Sequence, residues 1–203
     1  MGNVILVLHG WGGNKPEHWQ EHLVLKLATE GVDIRYPKFT DPKAPNLAIW
    51  LDELSKVIED IPEDAIVTVL AHSLGSILWM HYAAEAVDSE PTVRPTRVLL
   101  VAPPYVVREI PPLDAPEGAS AFFPPPMSPA GIKAAASETI LVASDTDDYA
   151  TFDQSAAYAD RLGIPIYKLP GAGHISPYYG YGEWPWVLEW TLGRAELPPL
   201  PNK

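Results

Sequence analysis

The chain has 203 residues, 47% of them hydrophobic, with 14 Lys and Arg against 26 Asp and Glu and a formal net charge of -12. That length suits one globular domain over 1-203 with a core of its own, and a chain without cysteine has no disulfide framework, thiolate nucleophile or Cys-based metal site. The negative charge opposes phosphate backbones and anionic lipid, so neither nucleic acid nor a membrane is expected as a partner, and the lack of cysteine favours a reducing compartment.

At the N-terminus Met1-Gly2-Asn3 runs straight into Val4-Ile5-Leu6-Val7-Leu8. This apolar run is too short to span a bilayer, lacks the basic flank of a signal peptide and breaks the myristoylation pattern at Leu6, so a soluble cytoplasmic protein is expected. Similar runs at 4-8, 33-36, 65-71, 97-102, 139-143 and 165-169 are short and rich in Val, Ile and Leu. Such runs suit parallel strands covered on both faces. Helical patterns near 17-30, 47-61, 74-87, 152-162 and 183-193 lie between them; the clearest places Leu47, Trp50, Leu51, Leu54, Val57, Ile58 and Ile61 on one stripe. Alternating strands and helices predict an α/β fold of about six parallel strands with helices on both faces.

The alternation breaks between 103 and 138, where nine of the 23 prolines fall within 103-129. A loop of this length is usually functional or disordered, and its aromatics Tyr105, Phe122 and Phe123 favour a minimal lid with a short helix at most. The Pro-rich tail 197-203 is expected to fray.

The sharpest chemical signal is Val67 to Ala71, then His72-Ser73-Leu74-Gly75, then an apolar helix. A buried strand turning into a helix around a serine, with small residues two before and two after it, is the pattern of a nucleophile elbow, with Ala71 in place of the usual first glycine. A second turn, His9-Gly10-Trp11-Gly12-Gly13, ends the first strand. A dinucleotide fingerprint would need glycine at position 15, which is Lys, so the turn fits an oxyanion hole formed by the backbone N–H groups of Trp11 and Leu74. A serine hydroxyl also needs a base and an orienting acid. Ser144-Asp145-Thr146-Asp147-Asp148 closes the fifth strand and Gly171-Ala172-Gly173-His174 follows the sixth, so serine, acid and histidine come in the chain order of α/β-hydrolases and emerge at the carboxyl ends of strands, where ligands bind.

HGWGGNKPEHW at 9-19, AHSLG at 71-75, ASDTDD at 143-148 and GAGH at 171-174 resemble the small serine hydrolases grouped with retinoblastoma-binding protein nine and the bacterial YdeN-like proteins, over nearly the whole chain. The resemblance implies an α/β-hydrolase with little or no lid acting on small esters or amides. It places the acid at the last Asp of an S-x-x-D turn, Asp147, although Asp148 and Thr151 depart from the usual residues after it and leave Asp145 and Asp148 as lesser claimants. Retinoblastoma binding through an L-x-C-x-E motif does not carry over to a chain without cysteine.

The expected activity is therefore hydrolysis of small carboxylic esters, or amides, by Ser73, Asp147 and His174 without cofactor or metal. Tyr105, Phe123 and Ile175 are candidate pocket residues. Two other readings compete. His18-Trp19-Gln20-Glu21-His22 matches the inverted zinc-peptidase signature H-x-x-E-H, but Trp19, Leu23 and Leu27 form the sheet-facing stripe, which leaves His18 and His22 as surface residues without a third ligand. A non-catalytic hydrolase-like binding protein is the other, since a fold does not guarantee chemistry. His9 and His72 flank the two turns and can shape them, His81 is expected in the core, and the aromatic run from Tyr178 to Trp186 suits either an acyl pocket or packing of the last helix.

Overall fold

The computed structural model describes residues 2-89, 91, 93-105 and 118-202. Its centre is one sheet of six parallel strands, β1 (Asn3–Leu8), β2 (Asp33–Arg35), β3 (Ile66–His72), β4 (Arg97–Val101), β5 (Glu138–Ala143) and β6 (Ile166–Lys168), in the spatial order β2-β1-β3-β4-β5-β6. The chain moves outward from β1 to β2, then crosses back to lay β3 on the other side of β1. Parallel sheets open a crevice at such a reversal, outside the carboxyl ends of the strands. Leu8 pairs with Ala71 and His72 with Val101, so the exits of β1, β3 and β4 lie side by side.

Alternation along the strands feeds two cores. Val4, Leu6, Leu8, Val67, Val69 and Ala71 face the layer of α2 (Leu47–Glu59), α3 (Leu74–Ser89), α4 (Pro129–Ala135) and α5 (Phe152–Leu162). Ile5, Val7, Leu70, Leu99 and Val101 face α1 (Trp19–Leu27) and α6 (Pro185–Thr191). Local chemistry sets the helix ends. The Asn46 side chain accepts from the Ile49 N–H to start α2, whose Trp50, Leu54 and Ile58 are buried; a capping box between Thr151 and Gln154 starts α5, and Gly163 at φ 67° ends it. No helix among the described residues is long and apolar enough to cross a membrane.

Two segments differ from expectation. Between 118 and 138 the chain forms a 3-10 turn at Ala119–Phe122 and the seven-residue α4, both packed on the body. Phe122 is fully buried with its ring edge-on to Trp50 at 5.5 Å, and its carbonyl accepts from the His81 ring at 3.0 Å. Residues 106-117, the rest of the expected lid, lie outside the described residues. The tail is tied down as far as Asn202: the indole N–H groups of Trp184 and Trp186 donate to the carbonyls of Leu200 (2.8 Å) and Glu196 (3.1 Å), and the Asn202 amide donates to Gly180 O (2.6 Å). These bonds hold a proline-rich stretch that has no secondary structure of its own.

Phe122→Ala removes a ring enclosed by Trp50 and the α3 surface. It should cost about 3 to 5 kcal/mol in urea unfolding; a loss below about 1 kcal/mol would mean that the 118-123 segment is not docked.

Candidate active site

Strand β3 ends at His72 and α3 begins at Leu74, so Ser73 alone makes the turn, at φ 53° in the left-handed region that side chains other than glycine avoid. Its neighbours fix that conformation. The Ser73 N–H donates to Val101 O on β4 (2.9 Å), the Ser76 N–H donates to Ser73 O (2.9 Å), and the Ser76 hydroxyl donates to Ala71 O (3.0 Å). Glycine at 75 is needed for a reason outside the elbow itself. A Cβ there would stand 2.6 Å from the carbonyl oxygen of Leu8 and 2.7 Å from that of His9, so α3 can start this close to the exit of β1 only without a side chain. Gly10 is under the same constraint, since a Cβ on it would lie 2.9 Å from Ser73 Cβ.

The residues expected as base and acid converge on this serine. His174 Nε2 lies 2.9 Å from Ser73 Oγ, and His174 Nδ1 lies 2.9 and 3.0 Å from the two Asp147 carboxylate oxygens. An ionised carboxylate can only accept, so the proton is on Nδ1 and the Nε2 lone pair faces the hydroxyl, which donates to it. The Asp147 side chain is 2% exposed and that of His174 11%. The other two carboxylates of the cluster have separate partners: Asp145 Oδ1 accepts from the Gly171 N–H (2.8 Å), and Asp148 accepts from the Tyr179 hydroxyl. Asp147 Oδ1 also accepts from the Tyr149 N–H (2.9 Å), and the half-exposed Tyr149 ring lies against His174 with centroids 4.5 Å apart. A hydroxyl that can pass its proton to an imidazole held by a buried carboxylate is equipped for nucleophilic attack on a carbonyl.

The glycine-rich turn completes the constellation. Gly12 and Gly13 take φ of 77° and 69°, and the turn is pinned by the Gly12 N–H to Pro42 O (2.7 Å) and the Trp11 indole N–H to Lys43 O (2.9 Å). Among the described residues the backbone N–H groups of Trp11 and Leu74 have no hydrogen-bond partner. Leu74 is the first residue of α3, where a helix leaves its N–H groups unpaired. Gln20, fully buried on α1, supports the turn from below. Its amide donates to Leu8 O (3.0 Å) and accepts from Asn14 (2.7 Å), which also donates to the Tyr36 hydroxyl (2.7 Å). Sequence reasoning missed Gln20 and Asn14; a glutamine beside Trp19 on an apolar helix face was the available signal.

Comparison with known proteins identifies the family and the fold. A family model described as serine hydrolase matches residues 5-191. The chain belongs to the serine hydrolase family. A curated relative of this serine hydrolase, YdeN of Bacillus subtilis (strain 168), is 22% identical over 189 residues, 93% of this chain and 94% of YdeN. The crystal structure of the B. subtilis ydeN gene product superposes with a TM-score of 0.77 at 21% identity, covering 95% of this chain and 98% of that one. A monoacylglycerol lipase from Paleococcus ferrophilus shares the fold at a TM-score of 0.61 and 13% identity, covering 96% and 97% of the two chains. The α/β-hydrolase fold is thereby shown.

The remaining predicted residues take several places in the serine hydrolase. Ile175 is fully buried in the core that α1 and α6 share, Tyr105 packs its ring on Tyr158 and donates its N–H to Tyr149 O (3.1 Å), and half-buried Phe123 packs against the other core. Tyr181, Trp184 and Trp186 are core residues, whereas Tyr178 is exposed. The H-x-x-E-H run does not form one helical face. His18 is the N-cap of α1 with extended backbone, which turns its ring inward rather than onto the surface, while His22 lies 4.0 Å from Glu183 on the outside. Among the described residues no three metal-binding side chains are close enough to hold an ion.

His18, His72 and His174 form a row of rings with centroids 4.8 and 5.1 Å apart. The His72 ring donates from Nε2 to His174 O (3.0 Å), and His18 Nδ1 accepts from the Gln20 N–H (3.2 Å). Burial, reinforced by His174 and His9, pushes His18 down to about 3; burial, with His18 and His174, holds His72 well below the ordinary histidine value. His9 is lowered by burial too, although its Nδ1–H bond to Gly10 O opposes the shift. Three imidazoles around the site are therefore neutral.

Each of the three binds a proton more readily once unfolded, where its value returns to about 6.5. Stability should be full above about pH 6.5 and fall as pH drops towards the folded values, by about 1.4 kcal/mol per pH unit for each histidine that takes up a proton on unfolding. His18→Gln should remove one proton from that slope between about pH 6 and pH 4 in urea titrations. An unchanged slope would mean that His18 is not held neutral.

Proposed function

We propose that the protein hydrolyses small carboxylic esters through an acyl-enzyme formed on Ser73, with His174 as general base and acid, Asp147 as its orienting partner and the N–H groups of Trp11 and Leu74 as the oxyanion hole. The observation that carries this reading is the unbroken contact from Ser73 Oγ through the His174 ring to the buried Asp147 carboxylate. Ser73 Oγ attacks the ester carbonyl carbon as its proton passes to His174 Nε2. The carbonyl oxygen, now carrying the charge, accepts from the two backbone N–H groups. Collapse of the tetrahedral intermediate breaks the bond to the alcohol oxygen, which takes the proton from Nε2. Water then enters, loses its proton to Nε2 and releases the acid by the same steps in reverse.

Two features favour this chemistry over simple binding of a carbonyl compound. The strained Ser73 conformation and the orphan N–H groups are of little use to a passive pocket, and left-handed non-glycine backbone concentrates where function requires it. The neutral His18 and His72 also leave the imidazolium that forms on His174 facing Asp147 with no competing positive charge beside it. Esters with apolar groups suit the two exposed aromatic rings of the site, Trp11 and Tyr149, which emerge from β1 and β5 on either side of β3.

A series of p-nitrophenyl esters of graded acyl length tests the proposal. Ser73→Ala should leave only the modest rate that an oxyanion hole supplies, and Asp147→Asn should lower turnover by roughly 10⁴ with the fold intact, because the imidazole then takes the wrong tautomer. Equal losses in Asp148→Asn, with Asp147→Asn near the unaltered protein, would reassign the acid. The acid limb of kcat/KM should show a slope of one proton, since the neighbouring histidines are already neutral; a slope of two or more would bring His18 or His72 into the titration.

A further inference from the structure

The loop that carries His174 hangs from β6, a three-residue edge strand with one neighbour, yet it must hold an imidazole against a serine 101 positions earlier in the chain. Asp147 alone does not hold it. Four consecutive residues leaving β5 grip four consecutive residues following β6. Asp145 Oδ1 accepts from the Gly171 N–H (2.8 Å), Ser144 Oγ from the Ala172 N–H (2.9 Å) and Thr146 Oγ1 from the Gly173 N–H (3.0 Å), while the His174 ring reaches Asp147. The grip is braced internally, since the Thr146 N–H donates to Ser144 Oγ (3.2 Å) and the two hydroxyls lie 3.2 Å apart. Gly171 and Gly173 take φ of 67° and 53°, the backbone shape that turns successive N–H groups towards one side.

We propose that Ser144, Asp145 and Thr146 are positioning residues for His174, acting through the backbone of 171-173; the proposal rests on His174 being the base. Chemistry and burial separate the three. Ser144 is fully buried and packed, whereas Asp145 and Thr146 are exposed, so their side chains add little core burial and their polar atoms are what the loop uses. Removing the Thr146 hydroxyl leaves the Gly173 N–H without its partner one residue before the base. A displacement of the order of 1 Å at a catalytic group costs about 10²-fold in rate, so even partial loosening is measurable.

The test compares Thr146→Val, which keeps the side-chain shape, with Thr146→Ser, which keeps the hydroxyl, reading both hydrogen exchange of the 171-174 amides and kcat against KM on p-nitrophenyl acetate. Thr146→Val should speed exchange at Gly173 and lower kcat by about tenfold, with KM changed less than about twofold, and Thr146→Ser should restore both. Asp145→Ala should speed exchange at Gly171 in the same way. The proposal is overturned if Thr146→Val exchanges and turns over like the unaltered protein, if Thr146→Ser is as impaired as Thr146→Val, or if the loss falls on KM alone. Absence of esterase activity in the unaltered protein would instead overturn the hydrolytic reading, and exchange would still decide whether the clamp holds the loop.

Discussion

The constraint on which the site depends is the close approach of two backbones where the sheet reverses direction. The start of α3 lies so near the carbonyl oxygens of Leu8 and His9 that position 75 has no room for a side chain, and the exit of β1 lies so near Ser73 that position 10 has none either. This contact sets the Ser73 hydroxyl beside the Trp11 turn. It also forces Ser73 into left-handed backbone, at a cost of order 1 to 3 kcal/mol offset by the Val101 and Ser76 bonds and by the packed helix that follows. The proposed nucleophile and oxyanion donors are thus positioned by the ends of the central strands.

The proposed base is positioned differently. His174 comes from a loop beyond a short edge strand, and its geometry depends on polar contacts from three directions: the Asp147 carboxylate on Nδ1, the 144-146 side chains on the preceding amides, and the His72 ring on its own carbonyl. These contacts lie among rings whose burial keeps them uncharged. In the proposed reaction a buried imidazolium beside His174 would repel the charge formed on its ring, and the depressed values of His18 and His72 remove that conflict.

Much of this was legible in the sequence because strands buried on both faces read as uninterrupted apolar runs. All six predicted strands are present within a residue or two of their expected limits, and the helix expected at 152-162 is Phe152–Leu162. Turn chemistry at strand ends singled out Ser73 and His174 as candidates, and turn position together with family resemblance favoured Asp147 over Asp145 and Asp148; in the structure each of the three carboxylates has its own partner. The short helix allowed within 103-138 is α4, whose local signal is Ser128-Pro129, an N-cap followed by proline at the first helical position. What escaped depended on long-range contact. His18 read as a surface residue because the helix was expected to begin at 17; starting it at Trp19 makes His18 a cap and turns it inward. Gln20 and the hydroxyls of Ser144 and Thr146 are polar residues whose partners lie in other segments, which no local periodicity reveals.

The proposed reaction requires that His174 activate Ser73 as a nucleophile. The test is to map the covalent adduct of a serine-directed fluorophosphonate by peptide mass spectrometry in the unaltered protein and in His174→Ala. A single adduct should form on Ser73, rapidly in the unaltered protein and at least about 10³-fold more slowly without the imidazole. An adduct on Ser76 or Ser144, or labelling of Ser73 at an undiminished rate in His174→Ala, would contradict it.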